Sequence, residues 1–156
     1  MTISRTLLRV LKFPPRLLYA IGLGNIYGRL VLLLTTRGRR TGLPRVTPLQ
    51  YEQVDGAFMV ASVRGATSDW FRNVLDDPRV EVRVRRSRFA GTAETSLEPE
   101  RIADFLELRL RRHPRMVGGI MRLRGVPTNP SRSQLEAYAS RLGIVTIRPT
   151  EDPAGE

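Results

Sequence analysis

The chain has no cysteine, a single histidine, a single tryptophan and no acidic residue before Glu52. Without cysteine there is neither a disulfide framework nor a thiolate metal centre, and one histidine cannot build a multi-histidine zinc site. That histidine, His113, directly precedes Pro114 at what reads as a helix end, a poor place for a general base. No apolar run is long enough to span a bilayer, and Arg29 interrupts one of the longest. Nor does the N-terminus read as a secretory signal: Pro14-Pro15 and repeated arginines cut the apolar region, and no small-residue cleavage site follows. There is no serine nucleophile elbow and no phosphate loop ending in Gly-Lys-Ser/Thr. The run Gly22 to Gly28 imitates a dinucleotide fingerprint, but its last glycine comes one position late and no strand precedes it.

What remains is a basic chain of 156 residues with a formal charge of +11, about one domain's worth. All but one of its 26 basic residues are arginine, Lys12 being the exception. Most of the excess lies in the acid-free first 50 residues. Near the N-terminus, Arg5, Arg9, Lys12 and Arg16 fall within about 60° on a helical wheel while Ile3, Leu7, Leu11 and Leu18 point the other way. Two readings stand side by side for residues 3–18: a leg lying on an anionic membrane surface, or a helix packed on its own domain with a solvated basic face. Residues 1–28 are assigned to this amphipathic segment, 29–150 to the main domain, and 151–156 to a disordered tail.

The centre of the chain has the period of strands. Val31 to Thr36, Arg45 to Glu52 and Ala57 to Val63 read as three strands, with Asp55-Gly56 as a tight hairpin turn. Asp69 to Asp77 reads as a short helix capped by Ser68 and ended before Pro78. Val80, Val82 and Val84 alternate with charged residues, and Phe89 to Ser96 pairs with that strand across Arg86-Ser87. Pro99 opens a helix with an apolar stripe of Ile102, Phe105, Leu106 and Leu110. Residues 113–130 are Gly- and Pro-punctuated and read as a mobile or substrate-facing segment. A last helix, Arg132 to Leu142, leads to a strand from Ile144 to Ile147. The fold class is therefore α+β and mainly antiparallel, a small barrel flanked by helices.

Chemistry concentrates in one turn. Gly38-Arg39-Arg40-Thr41-Gly42 puts guanidinium forks, a hydroxyl and backbone N–H groups at one place, which suits a phosphate or polycarboxylate. The competing reading is a solvated arginine turn. Asp76-Asp77 and the pair Glu98 and Glu100 lie at helix ends, where carboxylates cap or meet the dipole. With no evident nucleophile or proton shuttle, the reactive group of an enzyme built this way would be a cofactor's.

Several separated strings, Leu34 to Gly42, Pro44-Arg45, Pro48-Leu49, Val60-Ala61-Ser62, Trp70 to Val74 and Pro78 to Val82, keep a common order and spacing. Together they resemble the deazaflavin-dependent nitroreductase family, the FDOR-A type of the split β-barrel oxidoreductases that use coenzyme F-420. The resemblance implies a split β-barrel and hydride transfer from the reduced deazaflavin to a quinone, enone or nitro acceptor. It also implies that Arg39, Arg40, Thr41 and Arg45 hold the cofactor's phosphate and acidic tail, with Arg64 as a further cation. By position, Thr47, Pro48, Leu49, Ala61 and Ser62 would lie along the ring, and Trp70 and Asn73 would line the same cleft. Trp70 also reads as a core anchor. Ser62 and Tyr138, or solvent, are the candidate proton donors. The chain departs from the family pattern in a shortened loop from Ser62 to Trp70, in Gln50 beside the ring, and in Arg132 and Leu135 near Tyr138, which argue against nitroimidazole reduction.

The expected cofactor is reduced F-420, with FMN as the less favoured choice, and no metal is implied. The alternative function is a non-catalytic split-barrel binding protein for a flavin, haem or lipid. Expected partners are a small-molecule acceptor, an anionic membrane reached through residues 3–18 and a second copy of the chain. Nucleic acid is not expected, because the arginines are not interleaved with aromatics. The expected location is cytoplasmic, peripheral on the inner face of the membrane.

Overall fold

Alternation of apolar and polar residues along β1 (Val31–Arg37) sends Leu32, Leu34 and Thr36 to one side, where all three are buried. β4 (Arg79–Val84) repeats the pattern with Val80, Val82 and Val84 inside. A computed structural model, which describes residues 31–150, pairs these two strands antiparallel with Leu34 opposite Val82. β2 (Pro44–Val54), β3 (Ala57–Ser62), β5 (Ser87–Ser96) and β6 (Gly143–Pro149) complete a closed six-stranded barrel in the order β1-β2-β3-β6-β5-β4. Closure leaves no exposed sheet edge. The barrel interior is filled by Leu32, Leu34, Tyr51, Phe58, Val60, Val82, Val145 and Ile147, with Phe71 and Val74 packed from the helix that follows β3.

Turn chemistry sets the registers. Asp55 and Gly56 both have positive φ, 50° and 79°, as the two-residue hairpin joining Val54 to Ala57 requires. The second hairpin turns at Arg85-Arg86, one residue earlier than the sequence suggests, so that Val84 faces Ser87. Arg85 takes the left-handed conformation there, φ 53°. β5 accordingly begins before Phe89, and β2 extends past both predicted ends.

Helices occupy the two long connections. α1 (Asp69–Asp76) follows β3 after a single 3-10 turn at Gly65–Thr67. Ser68 precedes it but makes no capping bond; its hydroxyl lies 2.7 Å from that of Ser62 instead. α2 (Pro99–Arg112), α3 (Pro114–Leu123) and α4 (Arg132–Ala139) lie between β5 and β6. Pro99 starts α2 as expected, and Arg109, Arg111 and Arg112 fall in its last turn, where cations meet the negative end of the dipole. The apolar faces of these helices form a second core of Ile102, Phe105, Leu106, Val117, Met121, Leu135 and Tyr138, joined by Ile144 of β6, with Met59 and Ala61 of β3 packed against it.

Two expectations are corrected in this region. The stretch 113–130, read as mobile or substrate-facing, holds a helix in its first part: Pro114 begins α3, whose Val117 and Met121 sit one turn apart and are buried. The burial of that stripe outweighs the helix cost of Gly118 and Gly119, about 1 kcal/mol each. α4 ends at Ala139, three residues early, and the chain leaves it in a tight turn closed by Arg141 N–H to the Tyr138 carbonyl. Its start matches a capping box, in which Ser131 Oγ accepts from Gln134 N–H and the Gln134 side chain accepts from Ser131 N–H.

One charged cluster fastens the helical layer to the barrel. Glu52, on β2 and almost fully buried, pairs with Arg109 at 3.4 Å, Arg112 at 3.1 Å and His113 Nε2 at 3.2 Å. Arg109 also donates to Gln50 Oε1 at 2.8 Å, and its burial lowers its pKa against the opposing pull of Glu52. The lone histidine thus sits beside a structural carboxylate at the α2–α3 junction. The predicted amphipathic segment at residues 1–28 and the tail at 151–156 lie outside the described residues.

Candidate functional site

The glycine-flanked turn between β1 and β2 is a compact structure of its own. Gly38 N–H donates to the Leu43 carbonyl at 2.8 Å and Gly42 N–H to the Gly38 carbonyl at 2.7 Å. A side chain at Gly38 would place its Cβ 2.9 Å from Thr41 Oγ1 and 3.1 Å from the Leu43 carbonyl, with Arg45 Nε at 3.6 Å. A larger residue would have to displace the Thr41 hydroxyl and crowd the Leu43 carbonyl, so glycine is favoured here. Gly42 closes the turn with φ 68°.

Against this turn stands α1, which presents Asp69 and Asn73, four residues apart, on one face. Asn73 is buried, and its Oδ1 accepts from the Arg39 backbone N–H at 3.2 Å and from Arg39 Nη1 at 2.9 Å. Its Nδ2 donates to Thr36 Oγ1 at 3.3 Å. Asp69 Oδ1 accepts from Arg39 Nη2 at 3.1 Å, and the Asp69 carbonyl from Nη1 at 3.3 Å. The Arg39 guanidinium, through its hydrogen bond and then its charge, holds the Asp69 carboxyl below the usual carboxylate range, opposed by a small burial effect. Arg39 is thereby committed to the helix. Among the described residues, neither Arg40 nor Arg45 has a carboxylate partner, and the two point into the cleft beside the turn with Thr41.

The cleft has a volume of about 440 Å³, within the range of small-molecule sites. The turn forms one of its sides, Arg45, Val46 and Thr47 of β2 another, and Asp69, Trp70 and Asn73 of α1 the third. Seven of the sequence-predicted residues meet there: Arg39, Arg40, Thr41, Arg45, Thr47, Trp70 and Asn73. Trp70 has both of the roles considered for it, since it lines the cleft and packs against the barrel core with its ring centroid 5.9 Å from that of Phe71.

Pro48, Leu49, Ala61, Ser62, Arg64 and Tyr138 do not line this cleft. Leu49 packs against the barrel core and Ala61 against the helical one. The Ser62 hydroxyl is buried and donates to the Gly65 carbonyl at 2.8 Å, which fixes the 3-10 turn. Arg64 is exposed, with its carbonyl accepting from Thr67. Tyr138 lies in the helical core, where burial raises its phenol pKa despite Arg124 and Arg141. Asp69 was not singled out from the sequence; its spacing from Asn73 on a helix was the available signal, but what that face meets depends on closure of the barrel.

The F420H(2)-dependent quinone reductase family matches residues 20–117. An F420H(2)-dependent quinone reductase of Mycobacterium tuberculosis is 35% identical over 66 residues, a match that spans 40% of this chain and 44% of that relative. The fold is shared with a solved F420-H2 dependent reductase at TM-score 0.51 and 22% identity, covering 76% of this chain and 93% of that one. It is shared equally with the haem storage protein HutZ of Vibrio cholerae, at TM-score 0.55 and 14% identity, covering 88% and 90%. The family match extends from before β1 to the start of α3 and so takes in the whole of the cleft: the chain belongs to the F420H(2)-dependent quinone reductase family.

Proposed function

We propose that the protein is a reductase that binds reduced coenzyme F-420 in the cleft between the β1–β2 turn and α1 and reduces a quinone-type acceptor. The observation that carries this reading is the division of labour among the arginines. Arg39 is anchored by Asn73 and Asp69, which leaves Arg40 and Arg45 to take an anion beside Thr41. The donor set fits the group: two guanidinium forks and a hydroxyl beside a glycine that lets the turn close tightly match a phosphate and a carboxylate tail.

When bound, reduced F-420 supplies a hydride from its deazaflavin ring. The chain's own part is to hold, orient and shield. Arg40, Thr41 and Arg45 bind the acidic end, Thr47 and Trp70 flank the cleft, and Asn73 keeps the turn at a set distance from α1. Pro48, Leu49 and Ala61 remain the proposed ring neighbours. Ser62 is less suited to deliver a proton than solvent is, because its hydroxyl is already engaged. Tyr138, with its raised pKa, stays protonated at neutral pH.

Fluorescence quenching of F-420 tests the binding. Arg40→Ala and Arg45→Ala should each weaken the affinity about 10- to 100-fold, the size of a lost charge-assisted hydrogen bond. Unchanged affinity in both would overturn the assignment. Parallel titration with FMN and haem tests the competing binding-protein reading. An anionic membrane reached through residues 3–18, a homodimer and a cytoplasmic location are proposed as well; liposome flotation and size-exclusion chromatography test the first two. No described helix is long and apolar enough to cross a membrane.

A further inference from the structure

A second cavity lies in the helical layer. It measures about 340 Å³ and is bounded by Leu110 of α2, by Pro114, Arg115, Gly118, Met121 and Arg122 of α3, and by residues 127–130 of the following loop. It shares no lining residue with the cleft at the β1–β2 turn. Its floor is apolar, with Leu110 and the buried Met121 meeting there. Gly118 leaves one wall open: a Cβ at that position would find only Leu110 Cδ2, at 3.9 Å.

The mouth is of the opposite character. Arg115 and Arg122 are both exposed, and neither has a carboxylate partner among the described residues. No Asp or Glu occurs anywhere between Leu108 and Leu135. The stretch of chain that bounds this mouth therefore supplies no counter-charge of its own. Thr128 and Asn129 add hydrogen-bonding groups at the rim, and Asn129 is set in the left-handed conformation, φ 53°. An apolar floor beneath two unpaired guanidinium groups is complementary to one kind of molecule, an aliphatic tail carrying an anionic head.

We propose that this cavity binds a single anion-headed amphiphile, its tail against Leu110, Gly118 and Met121 and its head between Arg115 and Arg122. The chemistry is the same whether the molecule arrives as a monomer or from an anionic bilayer.

Calorimetric titration of the full chain separates these sources, with dodecyl phosphate below its micelle concentration in one arm and phosphatidylglycerol–phosphatidylcholine vesicles in the other. Gly118→Leu fills the open wall with a residue that favours helix over glycine. The double variant Arg115→Ala/Arg122→Ala removes the head contacts from the surface without touching the core. Each should weaken dodecyl phosphate binding about tenfold or more and leave F-420 affinity unchanged, while uncharged dodecanol should bind at least tenfold more weakly than the phosphate. Vesicle binding abolished by Gly118→Leu would support the same site with the bilayer as source. Equal binding of dodecanol, or dodecyl phosphate binding indifferent to both variants, would overturn the proposal.

Discussion

Asn73→Leu removes the central joint between the basic turn and α1 while keeping nearly the same volume. Three hydrogen bonds disappear: those from Arg39 N–H at 3.2 Å and Arg39 Nη1 at 2.9 Å, and that to Thr36 Oγ1 at 3.3 Å. Leaving a buried partner unsatisfied costs about 1–3 kcal/mol. Thr36 is buried with its hydroxyl, whereas the Arg39 side chain is about 20% exposed and recovers part of its loss from water. The Arg39 guanidinium also keeps Asp69. We therefore expect a destabilisation of ~2–4 kcal/mol, a fall of roughly 5–15 °C in melting temperature for a domain of this size. Urea unfolding with linear extrapolation measures it, with the m-value unchanged if the folded state stays compact. The same variant should weaken F-420 binding, because Arg39 no longer holds the turn over the cleft. A stability change below about 0.5 kcal/mol, the range of an ordinary surface substitution, would refute the claim that Asn73 joins the two elements.

Other outcomes follow from the same contacts. Glu52→Gln should destabilise the protein by about 3–5 kcal/mol in urea unfolding, since it leaves the buried Arg109 guanidinium without its counter-charge. The stabilising effect of Asp69, measured as the difference in urea midpoint between the natural chain and Asp69→Asn, should be present at neutral pH. Its folded pKa is depressed, so the effect is full above the unfolded value of about 3.9 and lost as pH falls through the folded value. In Arg39→Ala the Asp69 carboxyl, followed by NMR titration, should move back up toward that ordinary value.

Much of the barrel was legible because strands reveal themselves locally. Val80, Val82 and Val84 name their own buried face, and Asp55-Gly56 names its own turn. α3 was missed for a physical reason: its two glycines and flanking prolines carry weak local preference, and the stripe of Val117 and Met121 stabilises a helix only against Ile102, Phe105 and Leu106 of α2. The predicted site residues divide along similar lines. Those in or facing the basic turn came together, while the Ser62 hydroxyl lies against the 3-10 turn and Tyr138 in the helical core, placements that no spacing announced.

By itself the sequence determined the existence of an anion-seeking turn: glycines that permit a tight reversal, two adjacent arginines and a third four residues after Thr41, and no acid within reach along the chain to neutralise them. It also determined that Asp69 and Asn73 share a helix face, since helical geometry alone sets that. Only the tertiary structure decided that this face meets the turn, 30 to 34 residues away in the chain, when the barrel closes. That contact is what sets chemically identical side chains apart, because the Arg39 guanidinium is hydrogen-bonded to Asn73 and paired with Asp69, whereas among the described residues Arg40 and Arg45 have no carboxylate partner.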